Sequence, residues 1–224
     1  MTLKDKKIVF CIPGSHVSVY FMQQLVDLID YCRDQGAQTK ISTGTSSMVS
    51  QARINCLNGN PDRGLKQKPF SGEPYDYIMW IDTDIQFNNE CFQKLVDHNR
   101  DIVAGWYMIP DAYMGREFAS SVLEPYYFNE GGMELGIKMI SVDDIKSRDQ
   151  LFRCRASGLG WMLVRQGVFE KLPFPWFAPK IVTANGVPRL TGEDVAFCMD
   201  AQAAGFDIWV DPAIKVNHEK TVIV

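Results

Sequence analysis

Asp82 and Asp84 close the run YDYIMWIDTDIQF, which is otherwise apolar enough to be a buried strand. Unpaired carboxylates are costly to bury, so two of them at i and i+2 mark either a solvated strand end or a place where a cation is held. In an extended segment both side chains point the same way and repel one another unless a cation sits between or beside them. Hard oxygen donors suit Mg2+ or Mn2+, ions that also take ligands from phosphates. In a chain with 18 aspartates a single D-x-D arises by chance about once, so the pair alone leaves both readings open. Further along, TGEDVAFCMDAQAAGFDIWVDPAIKVNH adds Glu193 and Asp194 at a helix start and His218 at a strand end. Helix-start carboxylates are favoured by the macrodipole alone, or they serve as proton acceptors. His218 reads as a surface side chain or as a ligand.

The elements that must position these groups follow an alternating pattern. Ile8 to Ile12 is a short apolar run closed by Pro13-Gly14, a buried strand and then a turn. SVYFMQQLVDLIDYCRDQG has helical spacing and stops at Gly36. QTKISTG is a second strand, and SSMVSQARINCLNG a second helix, with Ser46 or Ser47 as its N-cap and Gly59 at its end. Residues 60–74 read as a surface loop. YDYIMWID, the helix NECFQKLVDHN and the strand DIVAGWYM complete a strand–helix alternation that predicts an α/β fold with a mainly parallel sheet. Residues 111–150 lose periodicity, which predicts antiparallel strands or long loops. RASGLGWMLVRQGVFEKL then reads as a strand leading into a short helix, GEDVAFCMDAQAAGF as a helix, and DIWVDPAIKVNH as one or two last strands. Open parallel sheets bind ligands at the carboxyl ends of their strands. Pro13-Gly14, Thr43-Gly44 and Asp82 to Asp84 all lie at such ends, which predicts one shared crevice.

The totals bound the possibilities. The 224 residues suit one domain, here 1–224. A net charge of -4 gives no electrostatic case for nucleic acid or an anionic membrane. Six scattered cysteines without a C-x-x-C pair argue against a zinc knuckle or a disulfide framework and suit a reducing compartment. No segment approaches the roughly 18–20 apolar residues of a bilayer span, and IVFCIPG is too short for a signal core. The expected location is cytoplasmic, with peripheral membrane association left open.

The set Asp82, Asp84, Glu193, Asp194 and His218, in this order and spacing, resembles a glycosyltransferase of the GT-A fold. It looks most like the family 2 type of inverting enzymes and small viral or bacterial relatives. The resemblance covers nearly the whole chain through VFCIPG, SSMVSQARIN, YIMWIDTDIQF, DIVAGWYMIP, SGLGWMLVRQGVFEKL and the terminal GEDVAFC to VNH, of which the last discriminates most. It implies Mn2+- or Mg2+-dependent transfer of a sugar from a nucleotide sugar, by family habit a UDP-sugar, to an acceptor hydroxyl on a glycan, a lipid-linked carrier or a protein. By that resemblance Asp84 is the direct metal ligand and His218 completes the coordination. Asp82 faces the ribose, or the metal through water. Asp194 is the base, with Glu193 beside it. Arg53 lies near the nucleotide or diphosphate, although the family's A-R-N stands here as Ala52-Arg53-Ile54-Asn55. Pro13, Gly14 and Thr43 line the nucleotide.

Lesser candidates surround these. Gly158 and Gly160 in SGLGW let backbone approach the donor sugar or simply form a tight turn. Trp161 and Trp176 offer rings to a sugar face, with core packing the competing reading for Trp161. Trp176, bracketed by prolines in PFPWFAP, is expected on a lid. Tyr107 and Met108 fall on the acceptor side, Arg116, Arg153 and Arg155 touch phosphate or solvent, and the loops at 60–74 and 111–150 carry acceptor specificity. Two rival classes remain. One is a nucleotidyltransferase, disfavoured because PGSHVSVYF has neither a glycine-rich run nor a Lys or Arg; the other is a non-catalytic nucleotide-sugar-binding protein.

Overall fold

A computed structural model describes residues 2–110, 118–127, 134–184 and 187–219. In chain order it contains β1 (Lys7–Pro13), α1 (Val19–Asp34), β2 (Gln38–Gly44), α2 (Val49–Cys56), β3 (Tyr77–Ile81) and the short β4 (Ile85–Gln86). Next come α3 (Asn89–Asp97), β5 (Ile102–Trp106), β6 (Met108–Pro110), β7 (Phe118–Tyr127), β8 (Glu134–Ser141) and α4 (Val142–Lys146). The chain continues with β9 (Phe152–Cys154), β10 (Ala156–Ser157), β11 (Trp161–Arg165), β12 (Ile181–Ala184), β13 (Val187–Leu190), α5 (Glu193–Ala203), β14 (Ile208–Lys215) and β15 (Asn217–His218).

Seven strands form the main sheet in the order β2-β1-β3-β11-β5-β14-β9. β1 runs parallel to β2 and β3, and β5 parallel to β14, while β11 runs against both β3 and β5 and β9 against β14. Five strands therefore share one direction, as the alternation predicts, and two run against them. Residues in the irregular middle of the chain do form antiparallel structure: β7 pairs with β6, β8 and β10.

The continuous apolar runs of β1 and β3 have a simple cause, since both faces of the sheet are covered. Val9, Cys11, Ile78 and Trp80 enter one core, and Ile8, Phe10, Ile12, Met79 and Ile81 enter the other. Adjacent residues divide between the two because side-chain direction alternates along a strand.

Local signals set most helix ends. Ser18 caps α1 by accepting from the Phe21 N–H, Gly36 ends it at φ 85°, and Asn88 caps α3 through the Cys91 N–H. The expected N-cap of α2 is corrected: Met48 occupies it without a side-chain bond, and Ser46 instead accepts from the Met48 N–H one step earlier. At the other end of that helix Asn58, not Gly59, adopts the left-handed conformation, at φ 56°. Among the described residues no helix is long and apolar enough to cross a membrane.

Candidate active site

The strand β3 stops at Ile81, and the two aspartates occupy a turn closed by the Ile85 N–H donating to the Asp82 carbonyl at 3.1 Å. The expectation that both carboxylates point to one side is thereby overturned, because it assumed an extended backbone. Asp84 turns to His218, whose Nε2 lies 2.9 Å from its Oδ2. Two backbone pairings hold this contact. β15 pairs with β4 so that His218 faces Ile85, and the Glu219 N–H donates to the Asp84 carbonyl at 2.7 Å. The ring orientation is fixed as well, since His218 Nδ1 lies 3.1 Å from the Met108 carbonyl. A carbonyl only accepts, so Nδ1 donates to it, and Nε2 is the ring nitrogen directed at Asp84.

The 2.9 Å separation is an ordinary hydrogen-bond length, and it is also the spacing that two ligands of one cation would show. Two neighbouring ligands of an octahedral ion at about 2.1 Å stand about 3.0 Å apart, close to the observed separation. Among the described residues no three His, Cys, Asp or Glu side chains converge. Mg2+-like ions are commonly held by one or two protein ligands, with water and phosphate supplying the rest.

Asp82 turns the other way, to Arg53. The guanidinium donates from Nη2 to Asp82 Oδ2 at 3.1 Å, lies 2.9 Å from Oδ1, and donates from Nε to Glu193 Oε1 at 3.1 Å. Arg53 is only 2% exposed, lies over the Trp80 ring, and keeps one buried nitrogen, Nη1, without a partner among the described residues. It reaches this position because α2 packs tightly on the end of β2. A Cβ on Gly44 would stand 2.1 Å from the Ala52 carbonyl oxygen. Burial works against the Arg53 charge, but Asp82 and Glu193 outweigh it and hold the guanidinium charged. Burial also raises the proton affinity of Asp82; Arg53 opposes this, and the charges of Asp84 and Glu193 add to it. Arg53 is thus shared by Asp82 and Glu193, while Asp84 pairs with His218 and Asp194 follows Glu193, a surplus of negative charge that a divalent cation would relieve.

Glu193 and Asp194 open α5 after Gly192, as the sequence predicts. Asp194 Oδ1 accepts from the Val195 N–H at 2.7 Å. Burial first, and the neighbouring Glu193 charge second, raise its pKa above the ordinary aspartate value. Gly192 is required here for space rather than for conformation: its φ of -64° suits any residue, but a Cβ would lie 2.5 Å from Asp194 Oδ1. Gly192→Ala is therefore expected to swing the Asp194 carboxylate and cut turnover. Stability should stay within about 0.5 kcal/mol, as at other exposed positions, which a melt compared with a turnover assay checks.

The remaining candidates divide. Pro13 and Gly14 end β1 opposite Gly44, and Gly14 backs onto the aspartate turn, where a Cβ would meet Thr83 Cγ2 at 2.7 Å. Thr43 is exposed at the end of β2. The three strand ends therefore do meet, as expected. Gly158 and Gly160 are close-approach glycines, but the group against them is Tyr107: Cβ atoms there would lie 2.2 and 2.9 Å from its hydroxyl oxygen. Trp161 is fully buried and stacks on Phe87, and Trp176 is fully buried against Phe169 and Phe174. Neither ring presents a face to a sugar, and the expected lid position of Trp176 is corrected, because PFPWFAP turns its tryptophan into the core. Arg153 pairs with Asp207 and covers Trp209, while Arg116, with the rest of 111–117 and residues 128–133, lies outside the described residues. Two surface hollows, of 180 and 280 Å3, lie along β2 beside Lys40, Phe70 and Glu73 and share no residue with the carboxylate cluster.

No family model and no curated protein matches the chain. Among solved structures, it overlays on GalNAc-T7 crystallised with UDP, GalNAc and Mn2+ with a TM-score of 0.56 at 10% identity, covering 97% of this chain and 43% of that one. A197 from STIV overlays with a TM-score of 0.48 at 16% identity, covering 98% of this chain and 96% of that one. S. aureus TarS 1-349 overlays with a TM-score of 0.43 at 13% identity, covering 95% and 60%. The overlay on GalNAc-T7 shows that the fold is GT-A-like, the α/β class to which the main sheet and its flanking helices belong. The chain spans less than half the length of that protein.

Proposed function

We propose that the chain transfers a sugar from a nucleotide-sugar donor, UDP-linked, to an acceptor hydroxyl on a glycan, a lipid-linked carrier or a protein, with inversion at the anomeric carbon. One observation carries this reading: Arg53 stands between two separate carboxylate groups, with Asp84 and His218 beyond one and Asp194 beside the other. A glycosyl transfer needs two such places, one by the leaving diphosphate and one by the attacking hydroxyl.

In this reading Asp84 Oδ2 and His218 Nε2 would hold Mn2+ or Mg2+, which would supply positive charge beside the departing diphosphate. Asp82, anchored by Arg53, reaches the donor ribose. Pro13, Gly14 and Thr43 flank the nucleotide, and the unpartnered Nη1 of Arg53 supports a diphosphate contact. Asp194 accepts the proton of the attacking hydroxyl. Its raised proton affinity suits that task, because a more basic carboxylate takes a proton more readily. The six cysteines, all unpaired, fit a cytoplasmic setting.

Calorimetry with UDP and Mn2+ tests the donor side. The parent is expected to bind UDP more tightly with Mn2+ than without it. Asp84→Ala should weaken the Mn2+-dependent part by at least the roughly tenfold that loss of an outer-shell metal partner causes. Equal affinity in parent and variant would remove Asp84 from the metal site.

A further inference from the structure

Tyr107 lies between the groups named above. Its ring is 7% exposed and packs edge-on against His218, with centroids 5.1 Å apart. Its hydroxyl accepts from the Gly160 N–H at 3.3 Å, and the Gly160 carbonyl in turn accepts from the Asp82 N–H at 3.1 Å. The peptide next in sequence supplies the Met108 carbonyl that orients His218 Nδ1.

The slot that receives the phenol is made by missing side chains. A Cβ on Gly158 would lie 2.2 Å from the Tyr107 hydroxyl oxygen, and one on Gly160 would lie 2.9 Å from the same atom. Both glycines are fully enclosed, and neither has a positive φ that would itself demand glycine. The space they leave is therefore the reason for them. Ser121 closes the arrangement: its N–H donates to the Tyr107 carbonyl, its Oγ accepts from the Tyr107 N–H, and its carbonyl accepts from the Gly158 N–H.

We propose that Tyr107 is a positioning residue, seated by its hydroxyl in the Gly158–Gly160 slot, that fixes the His218 ring and the Asp82 backbone as one unit. This goes beyond the transfer reading in assigning the two glycines to an internal phenol rather than to the donor, and its metal arm rests on that reading.

The experiment compares the parent with Gly158→Ala, Gly158→Ala/Tyr107→Phe and Tyr107→Leu. Two readouts are taken: the ring proton–nitrogen NMR correlations of His218 without metal, and the affinity for Mn2+ alone by electron paramagnetic resonance. With three histidines in the chain, the His218 signals are assignable by comparison with a His218→Gln control. Gly158→Ala and Tyr107→Leu should each shift or abolish the Nδ1–H correlation that His218 shows in the parent and weaken Mn2+ by about 10–100-fold, the range of outer-shell partners. Removing the hydroxyl in the double variant should recover part of both. Unchanged His218 signals in a folded Tyr107→Leu protein would overturn the proposal, as would a double variant no closer to the parent than Gly158→Ala. If Gly158→Ala fails to fold, Tyr107→Leu decides alone. If the parent binds no Mn2+, the transfer reading loses its metal while the His218 spectra still decide this inference.

Discussion

Asp194→Asn is expected to lower transfer by about 10²–10⁴-fold, the usual contribution of a positioned proton acceptor, while leaving UDP and Mn2+ binding close to the parent. The amide keeps the size and the bond from Val195 N–H but cannot take a proton. The same substitution should raise stability at neutral pH. Burial and Glu193 lift the native pKa of Asp194 above its ordinary value of 3.8, so the native state binds that proton more tightly than the unfolded chain does. The resulting stability is fully present below the ordinary value and is lost as pH rises through the native pKa. Above that pKa the parent carries a buried charge that asparagine lacks, so the variant should melt higher there, with the difference shrinking toward acid pH. Transfer by the parent should show the matching rise with pH as Asp194 ionises. A calorimetric melt and a rate profile over the same pH range check both. Full turnover in Asp194→Asn would remove the base assignment.

Arg53→Met is expected to destabilise the fold by about 3 kcal/mol, the low end for breaking a buried ion pair, because Arg53 is buried while the carboxylates it leaves unpaired are only half-buried. For a chain of this size that corresponds to a melting point lower by roughly 6–12 °C. Arg53→Lys should recover little of it. A lysine is a compact point charge, whereas the guanidinium spans Asp82 and Glu193 from separate nitrogens. A thermal melt of both variants decides. If methionine were tolerated within about 1 kcal/mol, the clasp would not be holding the two carboxylate groups together.

Much of the frame is legible because it depends on local pattern. The apolar run ending at Ile12, the alternation through Trp106 and the carboxylates opening α5 follow from periodicity and capping alone. The arrangement at Asp82 and Asp84 is not legible in the same way. An i, i+2 spacing predicts a shared direction only for an extended chain, and the turn closed at Ile85 separates them. The Arg53 clasp joins residues 29 and 140 positions apart, so no local pattern announces it. Trp176 misleads for a related reason. Flanking prolines signal irregular backbone, but irregular backbone can still drive a large ring into a core, here against Phe169 and Phe174. Gly158 and Gly160 did carry a usable signal. Paired glycines beside a buried strand mark a close approach, and only the fold identifies Tyr107 as what approaches.

The central claim is metal-assisted transfer from a nucleotide sugar at the Asp84–His218 and Asp194 cluster. Its most direct test is release of nucleoside diphosphate from a panel of UDP-, GDP- and dTDP-sugars, with and without Mn2+, alongside Asp84→Ala. The account predicts Mn2+-dependent release from at least one UDP-sugar by the parent, and its loss in the variant. A folded parent that releases no nucleoside diphosphate from any donor in the panel, with Mn2+ present and acceptor hydroxyls of all three classes supplied, would contradict it.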